Sequence, residues 1–82
     1  MYQTIGEKIA VAGTYANGHF TPKKFQWQRR AYSIDSIASQ HDFKDGSVRK
    51  RQFAVVAAGN TYLIDFDRDL EQWQLQQIWV EG

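Results

Sequence analysis

Few residues in this chain are of a type that does chemistry. Two histidines, His19 and His41, stand 22 positions apart, and there is no cysteine. A metal site needs several His, Cys, Asp or Glu ligands converging at set spacings. The adjacent pair His41-Asp42 would point to opposite faces of a strand, so no metal or other cofactor is expected. Nucleophilic catalysis needs a serine or cysteine beside a base with an orienting acid. None of Ser33, Ser36, Ser39 and Ser47 sits in a Gly-x-Ser-x-Gly turn. Asp65, Asp67 and Asp69 alternate along one strand, about 6.5–7 Å apart per step, a separation within reach of carboxylate-pair glycosidic chemistry. The plainer reading is a solvated acidic edge paired with lysine and arginine. No phosphate loop or dinucleotide glycine pattern is present. The chain reads as a binding protein and not as an enzyme.

Two surfaces for binding stand out. The first is basic. Lys23-Lys24 precedes Phe25, Arg29-Arg30 follows Trp27, and Arg49-Lys50-Arg51 opens a later strand. Cations beside aromatic faces suit single-stranded nucleic acid, with charge for phosphates and π faces for bases. This reading uses Lys23, Lys24, Arg29, Arg30, Arg49, Lys50 and Arg51 for phosphates and Trp27 for stacking. Against it, the pI near 8.0 lies below the roughly 9 typical of nucleic-acid domains. The second surface is apolar. Tryptophan is enriched in protein–protein hot spots, and Trp27, Trp73 and Trp79 are hard to bury together in a small core. Trp73, Ile78 and Trp79 are therefore expected to form a contact with a protein partner or with a second copy of the chain. The alternative for Trp79 is that it covers an open end of the fold. Of the two surfaces, the protein contact is preferred.

The elements that must position these residues are strands. Apolar and polar residues alternate along most of the chain. Gly59-Asn60 is a two-residue turn signal of type II′. It would place Phe53 opposite Phe66, Val55 opposite Ile64 and Ala57 opposite Tyr62, all on the core side. Lys50 would then face Asp69, Gln52 would face Asp67 and Ala54 would face Asp65. A one-residue slip would turn the apolar set to solvent. Asn17-Gly18 predicts a second hairpin of type I′, with Ile9, Val11 and Tyr15 on one side. Pro22 makes its second strand short or places it at an edge. Arg29-Arg30 marks a reversal between Phe25/Trp27 and Tyr32/Ile34. Ile37 is out of phase with Ile34, which predicts a bulge near Asp35-Ser36. Gln40 to Ser47 is polar, contains Asp45-Gly46, and reads as a mobile loop. Gln72 to Trp79 reads as a final strand, although Asp69-Leu70-Glu71-Gln72 also resembles a helix start.

Eighty-two residues make one domain, here residues 1–82. Its core must be thin, because a chain of this length buries roughly 60–65% of its unfolded surface. Aromatics are 15% of the residues, and each buried ring removes about 150–250 Å² from water. Six or seven short antiparallel strands then predict an all-β fold, a small barrel or curved roll of the SH3-like or OB-like kind, with a compact sandwich as the alternative. No apolar run is long enough to span a membrane as a helix, and the mixed start Met1 to Gly6 is not a secretory signal. With no cysteine, the expected setting is cytoplasmic. The net charge of +1 conceals an asymmetry: residues 1–62 carry +5 and residues 63–82 carry −4. Neutralisation across paired strands accounts for this more simply than a dipolar surface.

Phe25-x-Trp27-x-x-Arg30-x-Tyr32-x-Ile34, followed by Phe53-Ala54-Val55, Gly59, Tyr62-Leu63-Ile64 and Trp73-Gln74-Leu75, resembles small uncharacterised bacterial all-β domains. The resemblance spans about residues 8 to 79. It implies a bacterial all-β module in preference to an enzyme, and it implies no particular function.

Overall fold

The computed structural model describes residues 1–80 of the 82. Alternation is realised as seven strands: β1 (Tyr2–Ala16), β2 (His19–Trp27), β3 (Arg30–Ser33), β4 (Ser36–Asp45), β5 (Val48–Ala57), β6 (Asn60–Asp67) and β7 (Gln72–Trp79). They form one antiparallel sheet in the order β3-β2-β1-β7-β6-β5-β4. The strands β3 and β4 lie at opposite edges, yet only Ile34 and Asp35 connect them. So short a link requires the sheet to curl until its edges meet. At that seam the Ile34 amide extends the β2–β3 ladder by donating to the Lys23 carbonyl, and the Asp35 amide extends the β4–β5 ladder by donating to the Val56 carbonyl, both at 2.8 Å. Among the described residues β3 and β4 do not pair with each other, so the fold is a curved roll and not a sealed barrel.

The concave face holds the core: Phe25, Phe53, Val55, Ala57, Tyr62, Ile64, Leu75 and Ile78. Against it pack the half-buried Ile9, Val11, Trp27, Tyr32, Ile37 and Trp73. Phe25 stacks on Tyr32 at 4.9 Å and meets Tyr62 edge-on at 5.1 Å, across the interior. Aromatic pairs of this kind add about 0.5–1.5 kcal/mol beyond area burial.

The β5–β6 register differs from the expected one by two residues. Phe53 lies opposite Ile64, Val55 opposite Tyr62 and Ala57 opposite Asn60. On the outer side Lys50 faces Asp67, Gln52 faces Asp65 and Ala54 faces Leu63. The turn is Ala58-Gly59, with φ of 49° and 80°, a type I′ pattern in place of the expected type II′, and the alanine takes the left-handed first place assigned to Gly59. A slip of two preserves the faces, and of the predicted core set Phe53, Val55, Ala57, Tyr62 and Ile64 are buried, whereas Phe66 is half-buried. The Asn17-Gly18 hairpin forms as expected, with Ala16 opposite His19. Pro22 lies inside a nine-residue strand second from the edge, but β3 pairs only with Lys24 to Trp27, so Pro22 sits beyond its reach. The β2–β3 turn is Gln28-Arg29, and Arg30 pairs with Trp27.

Two expectations about residues 35–47 are corrected. The bulge falls at Ile37/Ser39, not at Asp35-Ser36. No loop spans Gln40 to Ser47: residues to Asp45 continue β4, paired to β5 down to Asp45 opposite Val48. Polarity there reflects an edge strand, exposed along most of its length, and not missing structure. The strand β7 occupies Gln72–Trp79 as predicted. Ahead of it, Asp67 rather than Asp69 caps the turn, its Oδ1 accepting from the amides of Asp69 (2.9 Å) and Leu70 (3.0 Å).

Candidate functional site

The roll has a mouth lined by aromatics from β1, β2, β5, β6 and β7. Phe66 and Trp73 are cross-strand partners on β6 and β7, and Tyr15 and Phe20 are partners on β1 and β2. Around Trp73 the rings of Phe66, Phe53 and Phe20 stand at 4.8, 5.6 and 5.8 Å, and Tyr15 follows Phe20 at 5.4 Å. With Val11 they enclose a cavity of about 230 Å³ whose charged lining is Arg51 and Glu71. Tyr15 is 77% exposed at the rim.

The rim is electrically balanced. Arg51 donates from Nε and Nη2 to both oxygens of Asp42, at 2.6 and 3.0 Å, and Arg68 adds a 3.4 Å contact to the same carboxylate. The hydrogen bond from Arg51 holds the Asp42 carboxyl below its ordinary range, and the same bond raises Arg51. Beside them Arg49 grips Asp69 through Nε and Nη2, which lowers the Asp69 carboxyl. Lys50 reaches Asp45 at 3.0 Å, and that hydrogen bond raises its pKa. The cluster Arg49-Lys50-Arg51 is thus neutralised group by group. Of the acidic tail residues, Glu81 lies outside the described residues.

The remaining cations of the basic set gather elsewhere. Lys23, Lys24, Arg29 and Arg30 all belong to the β2–β3 hairpin, are exposed, and make no ion pair among the described residues. The Arg30 guanidinium lies 5.9 Å from the Tyr32 ring centroid. Trp27 is half-buried against the core, and its indole N–H donates to Glu7 Oε1 at 3.2 Å. Only part of its ring therefore faces solvent. The expected eight-residue basic site is split into a paired group on β5 and an unpaired group on β2–β3.

The apolar triplet is also split. Trp73 faces the mouth, Ile78 is 5% exposed in the core, and Trp79 stands on the outer wall, where it meets Tyr2 edge-on at 4.5 Å. Trp79 lines an outer groove with Ala54, Leu63 and Thr61, and does not cover an open end. A register shift explains the split: Leu75 pairs with Ile64 but Gln77 pairs with Leu63. The extra residue, Gln76, changes the phase of β7, so Ile78 turns inward and Trp79 outward. Sequence reasoning missed Tyr15, Phe20 and Phe66 as companions of Trp73. The only signal was their alternation on strands that pair across the roll.

The acidic stripe is the expected solvated, cation-paired edge at Asp69, which pairs with Arg49, but not at Asp65. Asp65 is 6% exposed and accepts from Gln52 Nε2 at 2.8 Å. Burial is the main influence on it and raises its pKa. A raised folded-state pKa means that the protonated form suits the fold. Its favourable contribution is complete below the ordinary carboxylate range and is lost as pH rises through the raised value. Asp42 and Asp69 act oppositely: their pairing stabilises above the ordinary range and fades as pH falls through their lowered values. An Asp65→Asn chain should therefore gain on the parent in urea denaturation as pH rises from below the carboxylate range to neutral. A difference that did not change with pH would contradict the burial argument. Among the described residues no three His, Cys, Asp or Glu side chains cluster to hold a metal, and no helix is long and apolar enough to cross a membrane.

Fold and mouth together define a class: an antiparallel roll with an aromatic-lined opening and a charge-balanced rim. No protein-family model, curated protein or solved structure matches the chain.

Proposed function

We propose that this protein is a non-enzymatic interaction module, and that its mouth receives one apolar or aromatic side chain of a protein partner. The carrying observation is the ring of Tyr15, Phe20, Phe53, Phe66 and Trp73 around an opening of about 230 Å³. That volume is below the roughly 300–1,000 Å³ of sites for free small ligands and suits a single side chain. The apolar floor rewards burial. The paired Arg51–Asp42 rim and Glu71 offer polar contacts to a peptide backbone without strong net charge.

The test uses N-acetyl-tryptophanamide as a stand-in for the buried side chain. Amide and indole NMR signals of Phe20, Phe66 and Trp73 should shift on titration. A Tyr15→Ala chain, altered only at an exposed rim residue, should bind the probe roughly tenfold more weakly, since an aromatic contact contributes about 1.5 kcal/mol or more. Shifts confined to Tyr2 and Trp79 would instead move the contact to the outer wall and overturn the assignment.

A second reading rests on a separate observation, the four unpaired cations of the β2–β3 hairpin. Under it Lys23, Lys24, Arg29 and Arg30 contact nucleic-acid phosphates, and binding weakens steeply with salt. Fluorescence titration with oligonucleotides, repeated with Arg29→Glu, decides it. Saturable, salt-sensitive binding that this change removes would favour the second reading; no response would retire it.

A further inference from the structure

The outer edge of the ten-residue β4 has no strand paired to it among the described residues. Charges on such an edge ordinarily repel a second strand. Here their order does the reverse in one register. The turn Gly46-Ser47, with Gly46 at φ 65°, closes on the pair Asp45/Val48, and such a closing pair shares the turn hydrogen bond. Hydrogen-bonded pairs alternate along an antiparallel ladder. Asp45, Phe43 and His41 therefore direct their backbone groups toward β5, while Lys44, Asp42 and Gln40 direct theirs to the open side. An added antiparallel strand of the same sequence must pair even positions with even positions.

We infer that two copies of this chain join edge to edge through β4, antiparallel and centred on Phe43. In this register Asp42 faces Lys44 of the second copy and Lys44 faces its Asp42. His41 faces Asp45, and the two Phe43 rings meet at a wide, non-hydrogen-bonded position where side chains approach most closely. The neighbouring registers fail: centring on Asp42 sets carboxylate against carboxylate, and centring on Lys44 sets ammonium against ammonium. Opposite charges across a ladder stabilise it and like charges oppose it. Lys44 makes no ion pair among the described residues and lies opposite Arg49, so a carboxylate from a second copy relieves it. Six residues separate His41 from the seam at Asp35, about 20 Å of strand, which keeps the pairing segment clear of β3. The ring pair His41–Phe43, at 5.7 Å, adds an aromatic face to the junction.

The inference concerns the β4 edge and goes beyond the mouth. Sedimentation equilibrium over a dilution series tests it. The parent should show reversible doubling of its 9.5 kDa mass. Lys44→Asp alone, and Asp42→Lys alone, should each dimerise at least tenfold more weakly, because each places like charges opposite at two points. An equal mixture of the two should recover dimer to within a few-fold of the parent, as one chain then brings two lysines against two aspartates. Lys44→Asp gains Arg49 as a cross-strand partner, so it should keep the fold, which circular dichroism checks. A parent that stays at chain mass, single variants that dimerise like the parent, or folded variants whose mixture stays monomeric would each overturn the pairing. Titrating Lys44→Asp with N-acetyl-tryptophanamide reads the mouth independently, so failure of one proposal is distinguishable from failure of the other.

Discussion

A Gly13→Val chain should melt about 10–25 °C below the parent. Gly13 lies opposite Pro22, just past the register shift in β1. A Cβ added there runs into the Thr21 carbonyl oxygen and comes within 2.7 Å of Phe20 Cζ and 2.9 Å of Pro22 Cα. Two of these three are backbone atoms of the paired strand and cannot swing aside. Overpacking of a flexible core takes roughly 1–3 kcal/mol, and a backbone collision falls at or above the top of that range. For a domain of this size each kcal/mol moves the midpoint by about 4–8 °C. The mouth should suffer too, because the Phe20 ring lies over Gly13 on its way to Trp73. Ala12→Val, one residue away and exposed, serves as the comparison and should melt close to the parent. Equal melting of Gly13→Val and the parent would mean that β1 and β2 do not approach this closely.

The contrast between Gly13 and Gly59 shows what was legible in the sequence. Gly59 announced a turn through its neighbours, and the turn exists, shifted by one position because Ala58 adopts a left-handed φ. Nothing around Gly13 signals a close approach, because the atoms it must admit come from β2. Period-two alternation determines which face a residue occupies, so Phe53, Val55, Ala57, Tyr62 and Ile64 were readable as core. It is silent on which residue lies opposite, and a two-residue register slip leaves it unchanged. It also fails across a bulge. Trp73 and Trp79 share a parity in the sequence but occupy opposite faces, since Gln76 inserts an extra residue between them. The basic set divides for a different reason. Arg49, Lys50 and Arg51 were correctly seen as a cluster, but their carboxylate partners Asp69, Asp45 and Asp42 are brought in by two different turns and an edge strand. The strand character of residues 40–45 was hidden because an edge strand with both faces wet has no apolar alternation to display.

Phe53→Ala should remove about 3–5 kcal/mol of stability. Folded domains hold roughly 0.05–0.15 kcal/mol per residue, about 4–12 kcal/mol for a chain of this length, so this one truncation should consume a large part of the total. The ring is 1% exposed; burying it removes about 150–250 Å² from water, which at about 25 cal/mol per Å² is consistent with that loss. Its site borders the mouth, whose lining includes Arg51 and Glu71, but the sheet that carries it is held on both sides, by β4 and β6. Collapse should therefore be partial. Urea denaturation gives the difference directly, and a loss under about 1 kcal/mol would mean that the roll closes over the gap. Phe53 is also a wall of the mouth, 5.6 Å from Trp73. Its removal must then weaken binding and folding together, whereas Tyr15→Ala should weaken binding alone. That separation follows from where the two rings stand. One joins the mouth to the core, and the other stands at its rim, touching Phe20 and solvent.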